Sequence, residues 1–459
     1  MSQPTTLTLM GFAEQHQTQT YTHLSFDMPQ GVGRIDVRYE YSDAVGSDPH
    51  LTNGNTVDIG IFDTRGSAFM TEGFRGWSGS ARSAFFIAHD DATPGYLAGP
   101  LQPGTWYVCL GLYKIAPQGC HYRVEITLTA SELAHEQSFA PLLPVRTEVG
   151  RSKPEGWYCG EMHCHTYHSD GDSDPLEVVR LAESLGLDFL AITDHNNISH
   201  LARLNTLETP LILIPGFEVT TYKGHWNVWG DDGWIDFRVE SEAQMAQAVA
   251  EASRRGYVVS CNHPRPYGPD WVYTDVDEFD CIEVWNGPWP LANEIALEYW
   301  ESRLRAGKRY TAVGGSDSHF LKREHPARLA HPTLWVYCEG DPSAPAILAA
   351  LRAGHVAVSE SPSGARLQLN AGDAMMGDTV QRPADGQLAV SLRVLDGAGG
   401  TLELHTAAGR VWSQAIDEQD VSLTAVVDVS ATPSVRAQLV QQAEQMPLVR
   451  ALTNPIYVR

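Results

Sequence analysis

"GEMHCHTYHSDGD", residues 160–172, sets three histidines and three carboxylates into thirteen positions. Side chains alternate faces along an extended strand, so His163 and His165 project together while Cys164 points the other way. An isolated His-x-His is usually a pair of surface histidines. Here the pair closes a strand-like segment and runs into an acidic, glycine-containing loop, the place where β/α barrels assemble their sites. Asp170 alone would be a turn residue in "SDGD"; beside two co-facing imidazoles it reads as a ligand.

A site at the carboxyl ends of barrel strands requires ligands from several strands. "FLAITDHN" ends on Asp194 and His195, and "LILIPGFEVTT" carries Glu218. "GHWNVWG" carries His225, "YVVSCNHP" ends on His263, "CIEVWNG" on Asn286, and "YTAVGGSDSH" on Asp317 and His319. Such a succession is far more than a solvated surface supplies by chance. The intervening segments have the helical period and readable caps. In "DPLEVVRLAESLGLDF", Asp174 caps, Pro175 suits the first turn and Gly186 the stop. Ser241 caps "EAQMAQAVAEASRR", and "LANEIALEYWESRLRAG" leads to the Asp317 strand. Strands alternating with helices predict a parallel α/β sheet or barrel.

Around this centre the text is different. Residues 1–148 are short alternating segments such as "GRIDVRYEYS" and "GTWYVCLGLYK", broken by turn residues, which predicts an N-terminal β-sandwich. A Pro-bearing link follows, then the barrel over 152–362, and β-type text returns over 363–459 as a smaller C-terminal β-sandwich. With 459 residues, 43% hydrophobic and 19% charged, the chain can bury several cores. Its formal charge of −24 repels phosphate backbones and anionic membranes and argues against sequence-independent binding to long nucleic acid or membrane, while leaving room for a locally positive pocket. Seven scattered cysteines without a CxxC read as reduced, buried thiols, and no apolar run approaches a membrane span. With no signal-like start, the expectation is a cytoplasmic protein.

Imidazoles mixed with carboxylates, and no thiolate, suit Zn, Mn or Fe(II). Nine such side chains exceed one ion, and a carboxylate such as Glu218 can bridge two. "HCHTYHSDGD", "ITDHN", "GFEVTT", "CNHP" and "GGSDSH" together resemble, in order, the motifs of the PHP (polymerase and histidinol phosphatase) superfamily of metal-dependent hydrolases, over about residues 157–360. The resemblance implies a distorted seven-stranded β/α (TIM-like) barrel with a bi- or trinuclear centre. Carried over by motif, His163, His165, Glu218 and Asp317 hold one ion, Asp170, His195 and His319 a second, and Glu218, His225 and His263 a third. The flanking β units and the terminal "NPIYV" resemble the carbaryl-hydrolase-like branch.

These readings lead to a hydrolase of small phosphomono- or phosphodiesters. Its metal-bound hydroxide attacks phosphorus, and Asp317, His319 and Glu218 are the catalytic candidates, with Asp317 or an adjacent histidine giving the leaving oxygen its proton. Arg265, Asn286, Lys322 and His168 are the candidate substrate contacts, and Asp194 the orienting partner of a ligand histidine. Trp226, Trp229, Trp234, Trp271, Trp285 and Trp289 are core, with one or two free to wall a pocket. His200, His325, His331 and His355 read as surface or structural. The branch resemblance favours a rival, cleavage of a carbamate or carboxyl ester. A remoter rival is a non-enzymatic sugar- or partner-binding protein.

Overall fold

A computed structural model describes residues 4–48, 50–130, 153, 155–230, 233–266, 268–444 and 446–459. The linking stretch and the unit limits read at 148 and 152 lie outside the described residues.

Alternation builds the N-terminal unit. In Val32–Tyr41 the buried positions include Ile35, Val37 and Tyr39, with polar residues between them. This strand joins Thr5–Ala13, Cys120–Ala130 and Ala84–Ala88 in one antiparallel sheet. Tyr21–Met28, Gly104–Lys114, Thr56–Phe62 and Phe74–Gly79 form a second. Ile35, Val37 and Ile126 of the first share a core with Ile59, Ile61 and Val108 of the second. The second sheet is covered on both faces: every residue of Thr56–Phe62 is buried. Its outer side chains, Phe62, Trp77 and Cys109, belong to the core of the central unit.

That contact is specific. Phe74 stacks on Trp234 with centroids 4.1 Å apart, and Arg238, paired with Asp236 at 2.6 Å, donates to the carbonyls of Ser67 at 2.7 Å and Ala68 at 3.1 Å. The Met70 amide donates to Asp236 at 2.8 Å.

In the central unit the caps act as read. Asp174 accepts from the Leu176 amide at 2.7 Å and Glu177 reaches back to the Asp174 amide at 2.8 Å, opening the helix Pro175–Ser184. Ser241 caps Glu242–Arg254. Further helices are Ser199–Leu204, Asn293–Arg305 and Ala344–Ala353.

The strands depart from one parallel ladder. Gly216–Thr221, Gly224–Trp229, Val258–Cys261, Cys281–Asn286 and Thr311–Gly315 make a five-stranded sheet whose first two pairings are antiparallel and last two parallel. Only Tyr222 and Lys223 separate its first two strands, and two residues suffice for a hairpin but not for a crossover. Ile212–Leu213, Phe189–Leu190, Trp157–Glu161, Thr333–Tyr337 and Val356–Ser359 lie in another sheet. Isolated bridges, His195 to Glu218 and Cys164 to Ser318, join the two sheets.

This second sheet continues into the C-terminal text. Val356–Ser359 pairs with Leu448–Thr453, followed by Ser434–Gln441, Gly400–Thr406 and Gly409–Ile416. Residue 363 therefore marks where helices cease, not where hydrogen bonding breaks. The Asn454 side chain clamps Ala312, accepting from its amide at 2.7 Å and donating to its carbonyl at 2.9 Å. A four-stranded sheet of Ala374–Met375, Arg366–Ala371, Gln387–Leu395 and Val421–Asp428 completes the chain. Among the described residues no helix is long and apolar enough to cross a membrane, and all seven cysteines are unpaired and buried.

Candidate metal centre

The strand Trp157–Glu161 delivers His163 and His165 just beyond its end, where backbone bonds fix them against the strand Thr311–Gly315: the Asp317 amide donates to the His163 carbonyl at 2.8 Å and the His165 amide to that of Ser318 at 2.9 Å. Asp317 adopts a positive φ of 52°, uncommon outside glycine though better tolerated by Asp and Asn than by most residues, and such conformations cluster at functional sites. The bridge between His195 and Glu218 brings the next two strands to the same point.

All nine side chains expected as ligands meet there. Nε2 of His163 lies 3.3 Å from Oε1 of Glu218 and 3.5 Å from Oδ1 of Asp317. Nε2 of His165 is 3.0 Å from Asp317. Asp170 faces His195 at 3.6 Å and His319 at 3.3 Å. His225 and His263 approach Oε1 of Glu218 at 3.5 Å and 3.4 Å. The clusters overlap: His165, Asp170, His195 and His319; His163, Glu218 and His263; His163, His165 and Asp317; His195, Glu218 and His225. His165 thus serves two of them, and His225 and His263, which both face Oε1 of Glu218, fall in different groups.

Ligands about 2.1 Å from a shared cation stand roughly 3–3.5 Å apart, the spacing found here. Buried polar atoms are normally satisfied, yet Nε2 of His163, both ring nitrogens of His165, Oε2 of Glu218, Nε2 of His225 and Oδ1 of Asp317 are buried without a hydrogen-bond partner. Divalent cations fit this donor set. Burial opposes ionisation of Glu218 and Asp317, but His163 and the neighbouring imidazoles hold both well below the usual carboxylate range. Burial, helped by His319 and His195, drops His165 to about 4. Burial also disfavours charge on His163, and Glu283, Glu218 and Asp317 outweigh it to raise that ring.

Several groups that hold the centre escaped the sequence reading. Glu283, 2% exposed, pairs with Nδ1 of His163 at 2.8 Å and leaves Nε2 facing the cluster. Asn262 donates to Glu218 at 2.8 Å, and Thr220 sits 2.5 Å from Nδ1 of His195. Glu161, fully buried and pushed up to about 7 by that burial, accepts from the amides of His163 and Ala330. An acid inside the otherwise apolar strand "CIEVW" was the available signal for Glu283. Among the described residues, the Asp194 carboxylate makes no direct hydrogen bond to a candidate ligand imidazole. It receives Thr166 and Ser169 and lies 3.2 Å from Nδ1 of the buried His200.

Of the expected substrate contacts, Arg265 and Asn286 are buried behind Asp317. Arg265 donates to Asn286 at 2.6 Å, and Asn286 to Glu283 at 3.0 Å and Asp317 at 3.3 Å. His168 turns to Ser199 at 2.7 Å. Lys322 lies outside the cluster, on an exposed ion pair with Glu177 at 2.8 Å. Trp226 and Trp229 are fully buried core residues, as read.

Residues 161–257 match the sequence profile of the PHP domain. A stretch of 63 residues is 36% identical to a 5'-3' exoribonuclease of Haemophilus influenzae, covering 13% of this chain and 23% of that protein. The chain thus spans about a quarter of the length of this curated relative. Among solved structures, a two-domain protein of Bacteroides vulgatus containing a predicted PHP-like metal-dependent phosphoesterase is similar at 18% identity and a TM-score of 0.35, over 67% of this chain and 98% of that one. An amidohydrolase of Chromobacterium violaceum is similar at 17% identity and a TM-score of 0.28, over 36% and 89%.

Proposed function

From the premise that this chain carries a PHP domain, we propose that it is a metal-dependent hydrolase cleaving small phosphomono- or phosphodiesters. The observation that carries the reading is the convergence of unpartnered, buried imidazole and carboxylate atoms on one cluster. Two or three divalent ions, Mn, Zn or Fe(II), would be held by His163, His165, Asp170, His195, Glu218, His225, His263, Asp317 and His319. When bound, such ions offset charge on the phosphoryl oxygens and make water a better nucleophile at neutral pH.

The chain's own residues orient and move protons. Glu283 fixes His163, Asn262 fixes Glu218 and Thr220 fixes His195. Asp170, His195 and Asp317 keep side chains 48%, 19% and 24% exposed, so the open side of the cluster is theirs. A water oxygen bonds to phosphorus as one of its protons passes to Asp317 or His319, the bond from phosphorus to the leaving oxygen breaks, and the same group returns that proton to the leaving oxygen. Asn286, held by Arg265, positions Asp317.

A second reading, cleavage of a carbamate or carboxyl ester, is favoured by a cavity that touches Asp170, His195 and His225 and is lined by Tyr21, Trp77 and Tyr222, and by the resemblance of the flanks to the carbaryl-hydrolase-like branch. Parallel assays of metal-loaded protein on aryl phosphate, phosphodiester, nucleotide, aryl carbamate and aryl acetate decide between them. Turnover of carbamate or acetate and no phosphoester, across Mn, Zn and Fe(II), overturns the first reading.

With this function we also propose the finer architecture: the two joined sheets as halves of a distorted seven-stranded β/α barrel over 152–362, and β-sandwich units over 1–148 and 363–459. The substrate is a small molecule, not long nucleic acid or membrane. Unpaired cysteines support a cytoplasmic setting.

A further inference from the structure

The central unit does not wall its own cavity alone. One cavity of about 460 Å³ touches Asp170, His195 and His225 at one end and Tyr21, Asp58, Trp77 and Tyr222 at the other. Except for Tyr222, that far wall comes from the doubly covered sheet of the N-terminal unit. Tyr222 stacks between Tyr21 and Tyr113, with centroids 5.4 Å and 5.1 Å away, and Trp77 stands 6.1 Å from Tyr21. Gly111 makes the room, because a Cβ there would lie 2.1 Å from the Tyr222 hydroxyl and 2.9 Å from Trp77.

Asp58 lies among these rings, 8% exposed, and accepts from the Tyr222 hydroxyl at 2.8 Å. No described residue forms an ion pair with it. The ammonium that acts on it through space belongs to Lys114, which is committed to the carbonyls of Gly46 at 2.9 Å and Asp48. A buried carboxylate with no cation of its own is costly, and burial pushes Asp58 up to about 7. Aromatic faces around a carboxylate match a cation: ring quadrupoles attract it and the carboxylate neutralises it. The same wall disfavours an anion.

We propose that this compartment seats an ammonium group on the leaving-group side of the substrate, held by Asp58 among Tyr21, Trp77 and Tyr222. The substrate class is then the ester of an amino alcohol or aminoalkyl phenol, with the ester at the cluster and the amine in the N-terminal unit. The placement of the ester rests on the hydrolase reading above; the amine site does not.

The test uses the metal-loaded chain of 459 residues and two isosteric pairs. Tyramine and 4-propylphenol are titrated calorimetrically, and 4-(2-aminoethyl)phenyl phosphate and 4-propylphenyl phosphate are compared by kcat/KM. Wild type favours the amine by about tenfold or more in both, as a desolvated cation–π and charge contact implies. Asp58→Asn brings both ratios close to one. Tyr222→Phe, which removes only the hydroxyl donating to Asp58, lowers them part of the way and decides the matter if Asp58→Asn does not fold. Equal treatment of each pair by wild type, or a preference untouched in the variants, overturns the proposal. If neither phosphate is cleaved while tyramine binding depends on Asp58, the amine site stands and the phosphoester reading falls.

Discussion

Glu218 is the side chain on which the centre turns. His163, His165, His195, His225 and His263 all approach its two oxygens within 3.6 Å. Glu218→Gln keeps the volume and removes the charge, so metal content at limiting metal should fall at more than one position, and turnover with it. His225→Ala should cost at most one ion. Retention of the wild-type metal count by Glu218→Gln would exclude a shared carboxylate. Glu283→Gln tests the support behind the ligands: loss of a group orienting a ligand imidazole lowers metal affinity about ten- to a hundredfold, measured by chelator competition. The clustered side chains were legible because each belongs to a short local pattern at a strand end. Glu283 was not, because its partner His163 lies 120 positions away and an acid within an apolar strand does not reveal which face it takes.

At the level of elements, helices were read more accurately than strands. Asp174, Glu177 and Ser241 act within a few residues of themselves, so the cap can be seen in the text. Strand direction depends on what lies between strands, and the hairpin at Tyr222 and Lys223 reverses a ladder that the βα rhythm had predicted parallel. The strand Thr311–Gly315 shows how closely the sheet approaches the ligands. A Cβ on Gly315 would meet Cβ of His163 at 2.4 Å and Oε1 of Glu283 at 2.7 Å. Gly315→Ala should therefore displace the pair that fixes His163. Overpacking of this kind costs about 1–3 kcal/mol, so a lower thermal midpoint together with reduced metal content is expected. Unchanged values for both would mean that the strand can shift without moving His163.

In the whole molecule the units are bound through buried polar pairs as well as apolar faces, which composition alone could not show. Arg238, with its Asp236 partner fully buried, reaches carbonyls of the N-terminal unit and stacks over Phe62 at 3.9 Å. Arg238→Ala leaves Asp236 buried and unpaired, a loss on the order of 3–5 kcal/mol. Denaturant titration should show a lower midpoint for the whole transition, and a loss under 1 kcal/mol would place little of the docking energy on this pair. The clamp of Asn454 on Ala312 has a consequence for biosynthesis. The strand leading to Asp317 and His319 is held from 142 positions downstream, so a nascent chain from which Asn454 has not yet emerged should leave this part of the candidate centre unanchored. Chains stalled on the ribosome with residues up to 362 exposed should leave Val356–Ser359 as a bare edge, prone to pair with other chains, and should bind metal more weakly than chains from which Leu448–Thr453 and Asn454 have also emerged.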